Sequence, residues 1–149
     1  MTTNPSTATS VNSGGFVTDN PYGYTDAAGT RSINHAKCGG RPQFLTNDLI
    51  IETGCPTPVI VDLHGSLIKT LPIKGRFSYA GVSQDGSRFA LQDTLKSERF
   101  IIYSIRTWEP FAEVKPETPG EEQSWTAFSP DGSMFVVGSP MKLALYRLP

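Results

Sequence analysis

Two cysteines and two histidines are the residues of this chain best suited to bind a metal ion or form a covalent cross-link. They occur in the order His35, Cys38, Cys55 and His64. Structural zinc sites usually bring their cysteines as close pairs such as C-x₂-C, and Cys38 and Cys55 are too far apart for that. The spacing therefore favours neither a metal site nor another cofactor. It leaves a Cys38–Cys55 disulfide between neighbouring antiparallel strands, or two partly buried thiols.

The sequence contains none of the local motifs that usually mark catalysis. There is no G-x-S-x-G elbow, no H-E-x-x-H, no Walker A sequence and no G-x-G-x-x-G. We therefore predict no catalytic residue and a chain that is not an enzyme.

A small set of residues is left for binding. Asp48, Asp85 and Asp131 recur at similar turns, where they either line a ligand site or cap backbone N–H groups. Trp108 precedes Glu109-Pro110 and is predicted to lie on the surface, where an exposed tryptophan favours protein contacts. Trp125 falls in a predicted strand and is expected in the core.

Charge and hydropathy exclude several classes of protein. The 149 residues include 13 basic and 14 acidic ones, a balance that argues against a nucleic-acid partner. No run approaches the roughly 18 apolar residues that a membrane span needs. The first residues lack the features of a secretory signal, so we expect a cytoplasmic protein. A disulfide would instead imply an oxidising compartment.

The apolar pattern after Arg41 has a period of two, which is typical of strands. Short β-branched and aromatic runs are separated by turns rich in the 14 glycines and 12 prolines. The fold class is therefore predicted to be all-β and antiparallel. Residues 1–21 are rich in Ser, Thr, Asn and Gly, and we expect them to be disordered or loosely ordered because they bury little apolar surface.

The chain also repeats itself. The segment V-S-Q-D-G-S-R-F-A-L at 82–91 aligns with F-S-P-D-G-S-M-F-V-V at 128–137, 46 residues later. Each Asp-Gly pair predicts positive φ in a two-residue hairpin turn. A weaker copy has Asn47-Asp48 without glycine, which predicts a tighter turn or one of another type. Apolar-polar-apolar strand endings follow each copy, at 61–63, 103–105 and 146–148.

These turns and strand endings resemble the WD40-like β-propellers, in the broad bacterial sense that includes YVTN-type repeats. The resemblance implies four-stranded blades near 42–72 and 77–115, and a unit at 123–149 without its own fourth strand. A strand near 30–36 would supply the missing one. On this basis residues 22–149 form an incomplete propeller of about three blades.

Three blades cannot enclose a ring, because known propellers have about four to eight. The chain is then a piece of a longer propeller, one half of a two-chain ring, or a different sandwich or barrel. We expect a non-enzymatic interaction module that binds a protein partner or a second copy. The alternatives are a fragment of a propeller-type hydrolase or oxidoreductase, or a degenerate fragment without activity.

Overall fold

The computed structural model describes residues 8–19, 22–32, 42–95, 99–116, 125–140 and 142–149. These residues form antiparallel strands and no helix, which confirms the all-β prediction. Within these ranges there is accordingly no helix long and apolar enough to cross a membrane. The chain divides into two units, Met1–Lys74 and Gly75–Pro149.

The first unit contains two four-stranded sheets, each ordered as in the sequence. The first sheet has the strands β1 (Ala8–Val11), β2 (Gly15–Asp19), β3 (Tyr22–Asp26) and β4 (Gly29–Ser32). The second has β5 (Gln43–Phe44), β6 (Leu49–Glu52), β7 (Val59–Asp62) and β8 (Leu67–Thr70). Their shared core contains Val17, Tyr24, Phe44, Ile50 and Val61.

The second unit contains one four-stranded and one three-stranded sheet, again in sequence order. The four-stranded sheet has β9 (Phe77–Val82), β10 (Arg88–Asp93), β11 (Phe100–Ser104) and β12 (Pro110–Val114). The three-stranded sheet has β13 (Trp125–Phe128), β14 (Met134–Ser139) and β15 (Lys142–Arg147).

Within each unit the two sheets meet at their first strands. The Phe44 amide of β5 donates to Ser10 Oγ of β1 at 3.0 Å, and Thr126 Oγ1 of β13 donates to the Ala80 carbonyl of β9. The first hairpin turns touch as well, because Asn12 Nδ2 donates to the Asn47 carbonyl at 2.8 Å. Each pair of sheets is therefore joined along one edge and at one end.

The core of the second unit lies between its two sheets. Phe135 on β14 is completely buried, and its ring centroid is 5.3 Å from that of Phe100 and 4.9 Å from that of Phe128. Val137 on β14 and Ala90 and Ile102 on the neighbouring sheet belong to the same cluster. Aromatic side chains thus fill the space that two pleated sheets leave between them.

Residues 8–19 do not follow the expectation of loose order for 1–21, because they form β1 and β2. Few large apolar side chains are needed there: Val17 is fully buried beside Tyr24, and Thr18 is only 4 % exposed. The Asn12 carboxamide closes the turn by accepting from the Gly15 amide at 2.6 Å. Strand pairing and the capped turn thus give regular structure to a segment whose polar composition alone predicts disorder.

The strand expected at 30–36 also differs. Residues 29–32 form β4, which pairs with β3 inside the first sheet, and residues 33–36 lie outside the described residues. The sheets β5–β8 and β9–β12 fall within the predicted 42–72 and 77–115, and the third predicted unit has three strands. The first sheet was missed as a unit because its strands are polar.

Substitution of Phe135 by alanine tests the core of the second unit. We expect Phe135→Ala to lower the free energy of unfolding by about 3–5 kcal/mol, since it leaves a cavity among packed rings. Val136→Ala, one position along β14 on the opposite face, is the matched control and should cost about 1 kcal/mol. Urea denaturation followed by circular dichroism measures both, and equal losses would contradict the placement of the core.

Candidate functional site

One face of the β13–β15 sheet is apolar and open to solvent. The strand register places Trp125, Gly138 and Leu143 side by side across the sheet, with Leu145 in the adjacent row. Trp125 and Leu143 are each 55 % exposed and Leu145 is 59 % exposed. We call this surface the open face; its residues are Trp125, Ala127, Met134, Val136, Gly138, Leu143, Leu145 and Arg147.

The indole of Trp125 lies flat across Gly138. A Cβ atom at Gly138 would collide with three carbons of that ring, so glycine allows the ring to rest directly on the backbone of β14. The prediction that Trp125 belongs to the core is therefore wrong. Alternation along the strand could not reveal which of two apolar faces is covered.

The outer edge of β15 borders the open face. The Leu148 amide donates to the Ser133 carbonyl of the preceding hairpin at 2.8 Å, which fixes the alternation of the ladder. By that alternation, Leu143, Leu145 and Arg147 direct their backbone N–H and C=O groups away from β14. No strand among the described residues pairs with this edge, whereas the other three sheets have a fourth strand.

The open face corresponds to a face that is covered in the neighbouring sheet. Matching the registers of β10–β11 and β14–β15 makes Leu143 the counterpart of Phe100 and Leu145 the counterpart of Ile102. Phe100 is 1 % exposed and Ile102 is fully buried, since the β13–β15 sheet packs on them. The same surface is thus covered in one sheet and uncovered in the next.

The two Asp-Gly turns have the same geometry. Asp131 Oδ1 accepts from Ser133 Oγ at 2.7 Å, from the Ser133 amide at 3.0 Å and from Ser129 Oγ at 2.8 Å. Asp85 accepts the equivalent bonds from Ser87 and Ser83. Glycine follows each aspartate at positive φ, as predicted.

These turns are longer than the two residues predicted. The Ser129 amide donates to the Met134 carbonyl at 3.0 Å and the Ser83 amide to the Arg88 carbonyl at 2.8 Å, so four residues lie in each loop. The wider loop lets one carboxylate reach the serines on both sides of it. In the glycine-free copy the Leu45 amide donates to the Leu49 carbonyl at 2.8 Å, so this turn is tighter, as predicted.

Hydrogen bonds to the carboxylates lower their pKa values. Those from the Ser133 hydroxyl and amide and the Ser129 hydroxyl bring the pKa of Asp131 to about 2. Ser83 and Ser87 lower the pKa of Asp85, while the nearby negative charge of Asp131 opposes this shift. Asp48 is exposed in its own turn, and its carboxylate accepts no hydrogen bond from another described residue.

Asp85 and Asp131 therefore act as local caps of their own turns. Asp85 and Asp131 lie close enough to repel each other, and Arg88 links the two turns by donating from Nη1 to the Gly132 carbonyl at 2.6 Å. Within the described ranges no group of three His, Cys, Asp or Glu side chains is placed to hold a metal ion. In both carboxylates Oδ1 accepts these bonds from its own turn, and a ligand role for Asp85 and Asp131 stays a prediction.

Trp108 is half-buried in the loop after β11. Its ring centroid is 6.2 Å from that of the buried Phe89, and its amide donates to the Ser104 carbonyl at 2.9 Å. It adopts a left-handed backbone conformation, with φ of 59°. The ring packs on Phe89 while part of it remains exposed, and its role in binding stays a prediction.

The cysteine and histidine candidates are only partly described. Cys55 is disulfide-bonded, whereas Cys38 and His35 lie outside the described residues, so the Cys38–Cys55 pairing stays a prediction. His64 is exposed in the turn after β7, where its amide donates to Asp62 Oδ1 at 2.8 Å. Of these four residues, only Cys55 and His64 fall within the described ranges.

No family model matches the chain, and no curated protein matches it in sequence. Its fold is shared: a solved structure described as that of a eukaryotic initiation factor has a TM-score of 0.57 and 12 % identity to it. The match covers 89 % of this chain and 36 % of the other, so the chain spans about a third of that protein. At this identity the likeness shows the fold alone.

Acid titration tests the capping role of Asp131. Its ordinary pKa is 3.8 and its pKa in the folded chain is about 2. The ionised carboxylate therefore stabilises the fold above pH 3.8, and that contribution is lost as the pH falls from 3.8 to about 2. We expect Asp131→Asn to be less stable than the parent at pH 7, with a gap that closes by pH 2.

Urea denaturation across this pH range measures the gap. Asp48→Asn makes the same change of charge in a turn whose carboxylate receives no such bonds, and it should change the free energy of unfolding little at pH 7. A gap for Asp131→Asn that did not change with pH would contradict the assignment.

The contact of Trp125 with Gly138 is tested with the chain labelled with fluorotryptophan. Gly138→Ala inserts a methyl group where the indole lies, so the ¹⁹F resonance of Trp125 should move. Trp108 is the other tryptophan and serves as the internal control, because its packing on Phe89 is untouched. Trp125→Phe assigns the two signals, and an unmoved Trp125 signal would show that the ring does not rest on Gly138.

Proposed function

We propose that this chain is a non-enzymatic protein-interaction module of the WD40-like propeller type, and that the open face is its binding surface. The observation that carries the proposal is the exposure of Trp125, Leu143 and Leu145 on one sheet face. Exposed apolar surface of this kind is costly in water and is common where two proteins meet.

The arrangement of sheets supports the propeller type. Each sheet runs in sequence order, and the two sheets of each unit meet at their first strands, as blades do near the centre of a propeller. The turn repeat at Asp85 and Asp131 fits the same scheme, because both turns lie between the first and second strands of their sheets.

The equivalence of faces supports a particular kind of partner. Phe100 and Ile102 are covered by a sheet whose inward side chains include Phe128, Phe135 and Tyr146. Leu143 and Leu145, their counterparts, would be covered in the same way by a sheet with aromatic and aliphatic side chains. The proposed partner is therefore a folded β-rich polypeptide rather than a small molecule.

Site-specific photocrosslinking tests this function. A benzophenone amino acid at position 145 should capture a protein from an extract of the source cells, and Leu143→Lys in the same chain should abolish the capture by placing a charge on the face. The matched control carries the probe at position 67, since Leu67 is 50 % exposed on β8 in the other unit. Equal products from both positions, or none from position 145, would refute the proposal.

A further inference from the structure

Trp108 occupies a backbone position that favours glycine. It lies in the turn between β11 and β12, and its φ of 59° falls in the left-handed region. Every other positive φ in the described part of the chain belongs to a glycine. A bulky side chain is unfavourable in this conformation, because its Cβ crowds the following carbonyl oxygen. The turn therefore holds its indole against backbone strain.

The corresponding turn of the β5–β8 sheet shows that no ring is needed to close it. There the Gly65 amide, with φ of 83°, donates to the carbonyl of Asp62 at the end of β7 at 3.1 Å. The Trp108 amide donates in the same way to the carbonyl of Ser104 at the end of β11, at 2.9 Å. Since Gly65 closes its turn without a side chain, the indole of Trp108 must be explained by what it contacts.

The indole of Trp108 lies on a pair of buried rings. Its centroid is 6.2 Å from that of Phe89, with an angle of 59° between the two planes. Phe89 is itself fully buried and stacks on Tyr103, with centroids 5.1 Å apart and planes at 14°. Phe89 thus makes a parallel stack with Tyr103 but only a tilted contact with Trp108, which stays partly exposed to solvent.

We propose that the ring of Phe89 is the floor of a binding site for an aromatic side chain of another protein, and that Trp108 is its internal occupant. The partner's ring displaces the indole from Phe89, and residue 108 then leaves the left-handed region. Binding is therefore favoured by the release of backbone strain. An aromatic group fits best, because the space that an indole vacates is flat and aromatic pairs add attraction beyond the area that they bury. This autoinhibitory contact does not involve the open face.

A comparison of two substitutions at one position tests the strain. Glycine adopts a φ of 59° freely, whereas alanine keeps the Cβ that causes the crowding. Trp108→Gly should therefore unfold at a higher urea concentration than Trp108→Ala. Thr107, the preceding residue, is exposed and has no positive φ, so it provides the matched control. There the order should reverse, with Thr107→Ala more stable than Thr107→Gly.

Free indole is the probe for the binding site. Isothermal titration calorimetry should show that indole binds Trp108→Gly about tenfold more tightly than the parent chain, in which the internal ring competes. Adding Phe89→Leu to Trp108→Gly should weaken this binding about fivefold, because the aromatic contact is lost. Phe100→Leu in the same background is the control, since Phe100 is equally buried but packs on Phe135 instead.

A second measurement needs no substitution. Saturating indole should move the ¹⁹F resonance of Trp108 in the parent chain labelled with fluorotryptophan, because the indole side chain leaves Phe89. Three results would overturn the proposal: a Trp108→Gly variant no more stable than Trp108→Ala, equal indole affinity in Trp108→Gly and the parent, or an unmoved Trp108 resonance at saturation. Equal weakening by Phe89→Leu and Phe100→Leu would likewise remove Phe89 as the floor of the site.

Discussion

A β-sheet that is apolar on both faces cannot be stable in water by itself. β10 shows the constraint: Phe89, Ala90 and Leu91 follow one another and point to alternate faces, yet all three are fully buried. Such a sheet must lie between two other surfaces. The packing of the second unit follows from this, because the β13–β15 sheet covers the Ala90 face and in doing so exposes its own far side.

The turns determine how two sheets come together. In each unit the first strands are in contact and the first turns are hydrogen-bonded, through Asn47 in one unit and Arg88 in the other. Arg88 also lies 4.2 Å from the ring centroid of Phe111, so its guanidinium joins β10, β12 and the turn at Gly132. In each Asp-Gly turn the carboxylate accepts hydrogen bonds from two serines, one on either side of it, which hold the loop between the first and second strands in the same shape.

Sequence reasoning could find the strands whose side chains are strongly apolar, and the repeat of the Asp-Gly turns, because both signals are local. It could not find the sheet β1–β4, because its strands carry few large apolar side chains. There Thr18 is among the buried residues, and backbone hydrogen bonds pair the strands. It also placed Trp125 in the core, whereas this residue lies in a strand and is exposed. A period of two shows that a strand has two faces, but it does not show which face packs against another sheet. The exposure of the open face therefore could not be predicted from the sequence.

An apolar face next to an unpaired strand edge is the arrangement most prone to unspecific association. β8 shows the ordinary solution for an outer strand, because Lys69 and Thr70 follow Leu67 and Ile68 and interrupt the exposed apolar surface. β15 differs, since its middle reads Leu-Ala-Leu-Tyr and its charges stand only at Lys142 and Arg147. Charges at the ends of a strand hinder its pairing with an identical strand while leaving the apolar middle intact.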